Sequence, residues 1–167
     1  MPDANLATFG SALREAERRL TDAEIEAPRV QAMALIEFVT RRTRAQVLAQ
    51  LSDRVEADAL NLFRALVERR AAHEPLQYLL GQAHFLDFEL EVGPGVFIPR
   101  PETEQLVETA LEAWDPAHSW ALDICCGSGS IAIGLARGRS TGRVLAVDLH
   151  DAPRSTTRRN ARALGVT

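Results

Sequence analysis

The chain contains no lysine. All 19 of its basic residues are arginine, and 23 aspartates and glutamates outnumber them, for a formal net charge of −4. General affinity for nucleic acid usually shows as a basic excess, so this balance argues against it. Cysteine is scarce too: there are two, Cys125 and Cys126, and they are adjacent. Neighbouring residues rarely close a disulfide, and no second Cys or His cluster has zinc-ligand spacing. Neither a disulfide framework nor a metal centre is expected, and the pair reads as two small buried residues in a reducing compartment. No apolar run approaches membrane-spanning length. The opening MPDANLATFG lacks the basic segment and apolar core of a signal peptide. A cytoplasmic protein of one or two small domains is expected from 167 residues that are 46% apolar and 25% charged.

The first eighty residues carry helical periodicity. Leu6, Phe9, Leu13, Ala16 and Leu20 recur at spacings of three and four, which predicts one apolar stripe. Pro28 suits a first helical turn, ahead of Val30, Met33, Ala34, Ile36 and Phe38. Thr43 can cap a short helix through Leu51, and Leu60, Phe63, Leu66 and Val67 share one side of the next. No β-branched alternation interrupts this region, so residues 1–80 read as a helical bundle.

The pattern changes at Glu74-Pro75. Phe88, Leu90 and Val92 alternate, and Asp87 stands where the chain can reverse, which predicts a short hairpin. Pro99 and Pro101 force extended backbone at Ile98 and Arg100, and Pro101 suits the start of a helix with Glu102 and Glu104 near its positive end. Leu106, Val107, Ala110, Leu111 and Trp114 are its expected buried face. From Trp120 the order is strand (WALDIC), turn (CGSGS), helix (IAIGLARG) and strand (GRVLAVDL). A last helix over DAPRSTTRRNARALG should end at Gly165. This is a βαβ unit with a trailing helix.

The turn at Cys125, Cys126, Gly127, Ser128 and Gly129 is the candidate site. A strand that ends in glycines and feeds a helix aims backbone N–H groups at a ligand, and glycine lets that ligand approach. Gly127 to Ala132 fits G-x-G-x-x-A, and Asp148, about twenty residues on, is placed to accept the hydroxyls of a ribose. A dinucleotide and S-adenosylmethionine both fit these features. Asp123 tips the balance towards S-adenosylmethionine, because a carboxylate under the turn would repel a pyrophosphate and suits a sulfonium or an amino group.

The segment EPLQYLLGQAHFLDFELEVGPGVFIPRPETEQLVETAL, and IPRPETE above all, resembles the release-factor glutamine methyltransferases of the HemK/PrmC type. LDICCGSGSIAI and AVDL lie where that family has its cofactor motifs, and PRVQAMALI resembles its N-terminal domain. The resemblance implies an α/β protein in three parts. These are a helical substrate-recognition bundle (1–80), a β-hairpin linker (81–100), and the first part of a class I, Rossmann-like methyltransferase domain (101–167). It implies S-adenosyl-L-methionine as cofactor and a peptide chain release factor as partner, methylated on the glutamine of a Gly-Gly-Gln loop. Carried over by position, Phe97, Arg100 and Thr103 line the cofactor pocket, Asp123 lies beneath the glycine-rich loop, and Asp148 binds the ribose. Read as residues alone, Phe97 suits core, Arg100 a surface guanidinium, and Thr103 an open helix-end donor.

Three features depart from the family. Cys125 replaces the first of three glycines, at about 1 kcal/mol if its φ is positive. His150 and Asp151 replace a Ser-Pro, and the following helix offers few apolar residues before Ala161 and Leu164. Its Arg154, Arg158 and Arg162 form a basic stripe that reads as a solvated face. The Asn-Pro-Pro-Tyr that orients the target amide in the family does not occur. The expectation is therefore a truncated chain without catalytic residues, inactive alone, with Ile131, Ile133, Val144 and Val147 uncovered. The alternative is a non-catalytic short paralogue that binds a partner through its helical domain. A methyltransferase acting on nucleobase amino groups is disfavoured by IPRPETE and by the acidic balance.

Overall fold

Thr8 has extended backbone, and its side chain accepts the Ser11 N–H while Ser11 reaches back to the Thr8 N–H. This reciprocal capping box satisfies two helix-end donors and fixes where the first helix begins. The computed structural model describes residues 7–115, 117, 120–139 and 142–166. The chain divides after Leu80 into two compact units. Among the described residues it is a mixed α/β protein with eight helices and two two-stranded sheets.

The first unit is helical: α1 (Phe9–Asp22), α2 (Pro28–Thr40), α3 (Arg44–Ala49), α4 (Ala57–Ala71) and α5 (Leu76–Leu80). Pro28 takes the first position of α2, and Thr43 caps α3 through a second capping box with Gln46. Phe9, Ala16 and Leu20 of the α1 stripe are buried and Leu13 partly so, while Leu6 lies outside the described residues. The α4 face of Leu60, Phe63, Leu66 and Val67 is buried as the periodicity predicts.

Two details differ from expectation. The buried face of α2 is Ala32, Met33, Leu35 and Ile36, and Val30 is 55% exposed. This helix carries apolar residues around most of its girth, so spacing alone could not orient it. The short α5 falls in a stretch with no expected helix, directly after Pro75.

The second unit opens with the hairpin β1 (Gln82–Phe85) and β2 (Phe88–Glu91), antiparallel with Phe85 opposite Phe88. Leu86 and Asp87 make the turn, with Leu86 at φ +52. Helix α6 (Pro101–Ala113) has Pro101 at its first turn, and its Glu104 accepts the Leu86 N–H at 2.9 Å. Then follow β3 (Trp120–Ile124), α7 (Ser130–Gly138), β4 (Arg143–Val147) and α8 (Asp151–Ala163). Strands β3 and β4 are parallel, with Trp120 opposite Arg143 and Ile124 opposite Val147. Phe85, Phe88, Leu90, Val107, Ile133 and Leu135 form the core of this unit.

Of the four residues expected to be uncovered, Val147 alone is exposed. Ile133 is buried, and Ile131 and Val144 are half-buried. Exposure falls on Trp120, Leu122 and Ile124 of β3 and on Leu145 and Val147 of β4, with Leu122 opposite Leu145 and Ile124 opposite Val147. Side chains alternate along a strand, and α7 covers the Ala121/Asp123 side, which leaves the other side bare. Leu106, expected in the buried face of α6, is also 54% exposed.

Phe63→Ala is expected to destabilise the helical unit by about 3–5 kcal/mol, because Phe63 is 1% exposed. The neighbouring Leu62, 49% exposed, should tolerate alanine within about 0.5 kcal/mol. Equal losses in urea unfolding would contradict this packing.

Candidate functional site

Between β3 and α7 the chain takes three left-handed steps in five residues: Cys125 at φ +66, Gly127 at +58 and Gly129 at +86. The Gly129 N–H closes the turn on the Cys126 carbonyl at 2.7 Å, and the Cys126 N–H bonds the Val147 carbonyl at 3.0 Å. A Cβ on Gly129 would stand 2.8 Å from Thr157 Cγ2, so both space and φ require glycine there. Cys125, in contrast, holds a left-handed conformation with a Cβ in place.

Gly129 stands at the N-cap of α7 and has no side chain to cap it. Asp123 supplies the missing acceptor from the strand below: its Oδ2 accepts the Ala132 N–H at 3.1 Å. The carboxyl is 7% exposed. Burial pushes its pKa up, the Ala132 N–H opposes that, and the charge of Asp148 adds to it.

Asp148 follows β4 directly. Its Oδ1 accepts the His150 N–H at 3.0 Å and its Oδ2 the Gly127 N–H at 3.1 Å. These two bonds, His150 first, hold the carboxyl below its ordinary range, so it stays charged. A carboxylate oxygen has more than one lone pair, and each can accept a further hydrogen bond.

The remaining expected residues divide. Phe97 is 62% exposed, and its Cβ lies 3.7 Å from where a Gly127 Cβ would stand, so it borders the turn. The Arg100 guanidinium stacks over the Phe97 ring at 5.4 Å. Thr103 is half-buried in the first turn of α6, its N–H bonded to the Arg100 carbonyl. Among the described residues no hydrogen bond joins Thr103 to the turn. Ser128 and Cys126 are buried, and burial pushes the Cys126 thiol pKa up. Cys125 is exposed, so the expectation of two buried cysteines holds for only one of them. An open groove of about 630 Å³ runs beside β3, lined by Leu106, Ala110, Trp114, Leu122, Asp123 and Ile124 among others.

Helix α8 contributes residues that spacing alone had not singled out. Its buried face is polar: Thr156, Thr157 and Asn160 beside Pro153. Thr157 Oγ1 donates to the Gly127 carbonyl at 3.1 Å, and Asn160 Nδ2 donates to the Ser128 carbonyl at 2.9 Å. The available signal was the recurrence of Pro153, Thr157, Asn160 and Leu164 at helical spacing, a face with Leu164 as its one large apolar residue. Arg158 and Arg162 are exposed, while Arg154 bonds the carbonyls of Asp148 and Leu149 and pairs with Asp151.

Cys125→Gly is expected to stabilise the second unit by about 1 kcal/mol, read as a raised melting temperature; a lowered one would show that the thiol is needed there. Asp123 has a raised folded pKa, so its contribution to stability is fully present below the unfolded carboxylate range. That contribution is lost as pH rises through the folded value. Asp123→Asn keeps an acceptor for Ala132 without that loss, so its stability relative to wild type should increase from about pH 3 to about pH 7. A difference independent of pH would sink the assignment.

Residues 11–81 match the family described as the PrmC N-terminal domain. The chain is 40% identical to the release factor glutamine methyltransferase of Moorella thermoacetica over 95% of its own length and 56% of that protein's. It is 40% identical to the one from Streptomyces coelicolor over 87% and 52% of the two lengths, and 43% identical to the one from Bordetella pertussis over 83% and 52%. Residues 11–81 thus belong to the PrmC N-terminal domain family, and the chain is similar over most of its length to release factor glutamine methyltransferases while spanning about half the length of the curated relatives it matches.

Proposed function

We propose that the second unit is the cofactor-binding part of a class I, Rossmann-like methyltransferase, with S-adenosyl-L-methionine as its cofactor. The single observation that carries this reading is the pairing of two carboxylates across one turn. Asp148 is fixed and charged at the rim, and Asp123 is buried beneath. A buried carboxyl whose charge is penalised by its surroundings is a favourable place for a cation. Two carboxylates this near to each other are an unfavourable place for a pyrophosphate. The positive sulfonium and ammonium of S-adenosylmethionine fit this field, and a dinucleotide does not.

In this reading Asp148 accepts the ribose hydroxyls with the lone pairs that Gly127 and His150 leave open. Asp123 faces the cationic end of the cofactor. Cys125 to Gly129 pass under it, with glycine where a side chain would obstruct. Phe97, Arg100 and Thr103 border the adenosine side; Phe97 and Arg100 already form a stacked pair beside Gly127. The bound cofactor would supply an electrophilic methyl group on a positively charged sulfur.

The substrate in this reading is the glutamine side-chain amide of a release-factor Gly-Gly-Gln loop, and residues 1–80 help recognise the release factor. Residues 81–100 join that helical part to the cofactor part at 101–167. A glutamine amide is a weak nucleophile, so transfer requires fixed acceptors that orient it. The family's Asn-Pro-Pro-Tyr is not among the 167 residues. We therefore propose that these residues alone bind the cofactor without transferring its methyl group.

Calorimetric titration of the 167-residue chain with S-adenosylhomocysteine tests the cofactor assignment. Micromolar binding is expected, weakened at least about tenfold (~1.4 kcal/mol) by Asp148→Ala. A folded wild-type chain that binds none would overturn it. An Asp148→Ala variant that binds as wild type would remove Asp148 from the site. Asp123→Asn should weaken S-adenosylmethionine more than S-adenosylhomocysteine if the carboxylate faces the sulfonium, and equally if it faces the ammonium.

A further inference from the structure

We infer that Thr157 and Asn160 of α8 are positioning residues that set the orientation of the cofactor turn, an inference that rests on the reading of that turn given above. Their bonds are specific to two consecutive peptide units. Thr157 Oγ1 donates to the Gly127 carbonyl at 3.1 Å, and Asn160 Nδ2 donates to the Ser128 carbonyl at 2.9 Å. Thr157 has one hydroxyl proton, and the carbonyl takes it. The Cys126 thiol, with its Sγ 3.4 Å from the same oxygen, is therefore the donor in that contact.

A trans peptide points its C=O and N–H in opposite directions. Holding the Gly127 and Ser128 carbonyls towards α8 therefore turns the N–H groups of Ser128 and Gly129 away from it. The Gly129 N–H closes the turn on Cys126. The Ser128 N–H has no acceptor among the described residues, which leaves it an uncommitted donor on the side away from α8. Loss of the Thr157 or Asn160 bond would free one of these planes to rotate. It would also strand a carbonyl, part-buried at Gly127 and buried at Ser128, which is unfavourable in its own right.

Asn160 is itself held by the hairpin. Its Oδ1 accepts the Glu91 N–H at 2.8 Å, and its amide also donates to the Glu91 carbonyl at 3.0 Å. The Arg159 guanidinium forks onto the Glu91 carboxylate beside it. The end of β2 thus fixes the Asn160 side chain, and Asn160 fixes Ser128. This polar contact replaces the apolar one that a helix packed against a strand usually makes. The steric fit agrees, since Thr157 Cγ2 occupies the space where a Gly129 Cβ would stand.

The test compares Thr157→Val, which keeps the shape and removes the hydroxyl, with Thr157→Ser, which restores it. Thr156→Val is the control. Thr156 is also buried on the same helix, but its hydroxyl accepts from Arg159 and makes no hydrogen bond to the turn among the described residues. Binding of S-adenosylhomocysteine to the 167-residue chain should weaken at least about fivefold in Thr157→Val. It should stay within about twofold of wild type in Thr157→Ser and Thr156→Val. Equal losses in Thr157→Val and Thr156→Val, or no loss in either, would overturn the inference. Asn160→Ser repeats the test at the Ser128 carbonyl should Thr157→Val fail to fold. Amide hydrogen exchange at 127–129 in the ligand-free chain separates this inference from the cofactor reading. Faster exchange in Thr157→Val than in Thr156→Val supports the clamp even if wild type binds no S-adenosylhomocysteine, and indistinguishable exchange removes it.

Discussion

A strand must become a helix within five residues, and three of those residues must adopt left-handed backbone. The second unit is organised around that constraint. A turn of this kind exposes carbonyls and N–H groups that the backbones of β3 and α7 cannot satisfy. The surrounding elements satisfy them from three directions. Asp123 comes up from the strand to cap α7, Asp148 reaches back from the end of β4 to Gly127, and α8 brings Thr157 and Asn160 onto the next two carbonyls. None of these contacts is apolar. The turn owes its shape to directional bonds, which specify one geometry where packing alone would permit several.

The same carboxylates serve two purposes that pull in different directions. As acceptors they order the backbone, and as charges they make the site electronegative. Asp148 is eased by two N–H donors and remains ionised, whereas Asp123 has one donor and is burdened by burial. That asymmetry gives the turn a stable acceptor at its rim and an uncompensated one at its floor. A ligand with hydroxyls at one end and positive charge at the other matches it.

Much of this was legible in the residues. The α4 face, the hairpin with its reversal at Leu86–Asp87, the start of α6 at Pro101 and the strand–turn–helix at 120–138 follow local patterns strong enough to survive folding. Three things were not legible. Helix α2 is apolar around most of its girth, so which side faces the core depends on its neighbours. Of the residues expected to be uncovered only Val147 is exposed, because β4 carries apolar residues on both of its sides and alternation carries no sign. The buried side of α8 is made of Thr and Asn, which a hydrophobicity pattern reads as solvent-facing. At the site, the residues of the turn could be named in advance. The side chains that hold it could not, because Asn160 and Ser128 meet only through the fold.

The arginine-only composition has a consequence for how the surface responds to its medium. The pairs Arg19–Glu68, Arg69–Glu74 and Arg159–Glu91 join a guanidinium to a carboxylate through forked bonds. A guanidinium does not release its proton in any alkaline range a protein survives, and there is no lysine ammonium to do so in its place. Base therefore finds almost nothing to titrate on the cationic side of this surface. Acid, by contrast, can break each pair by protonating its carboxylate partner. The arginine–carboxylate pairs of this surface are therefore broken by acid and left intact by base.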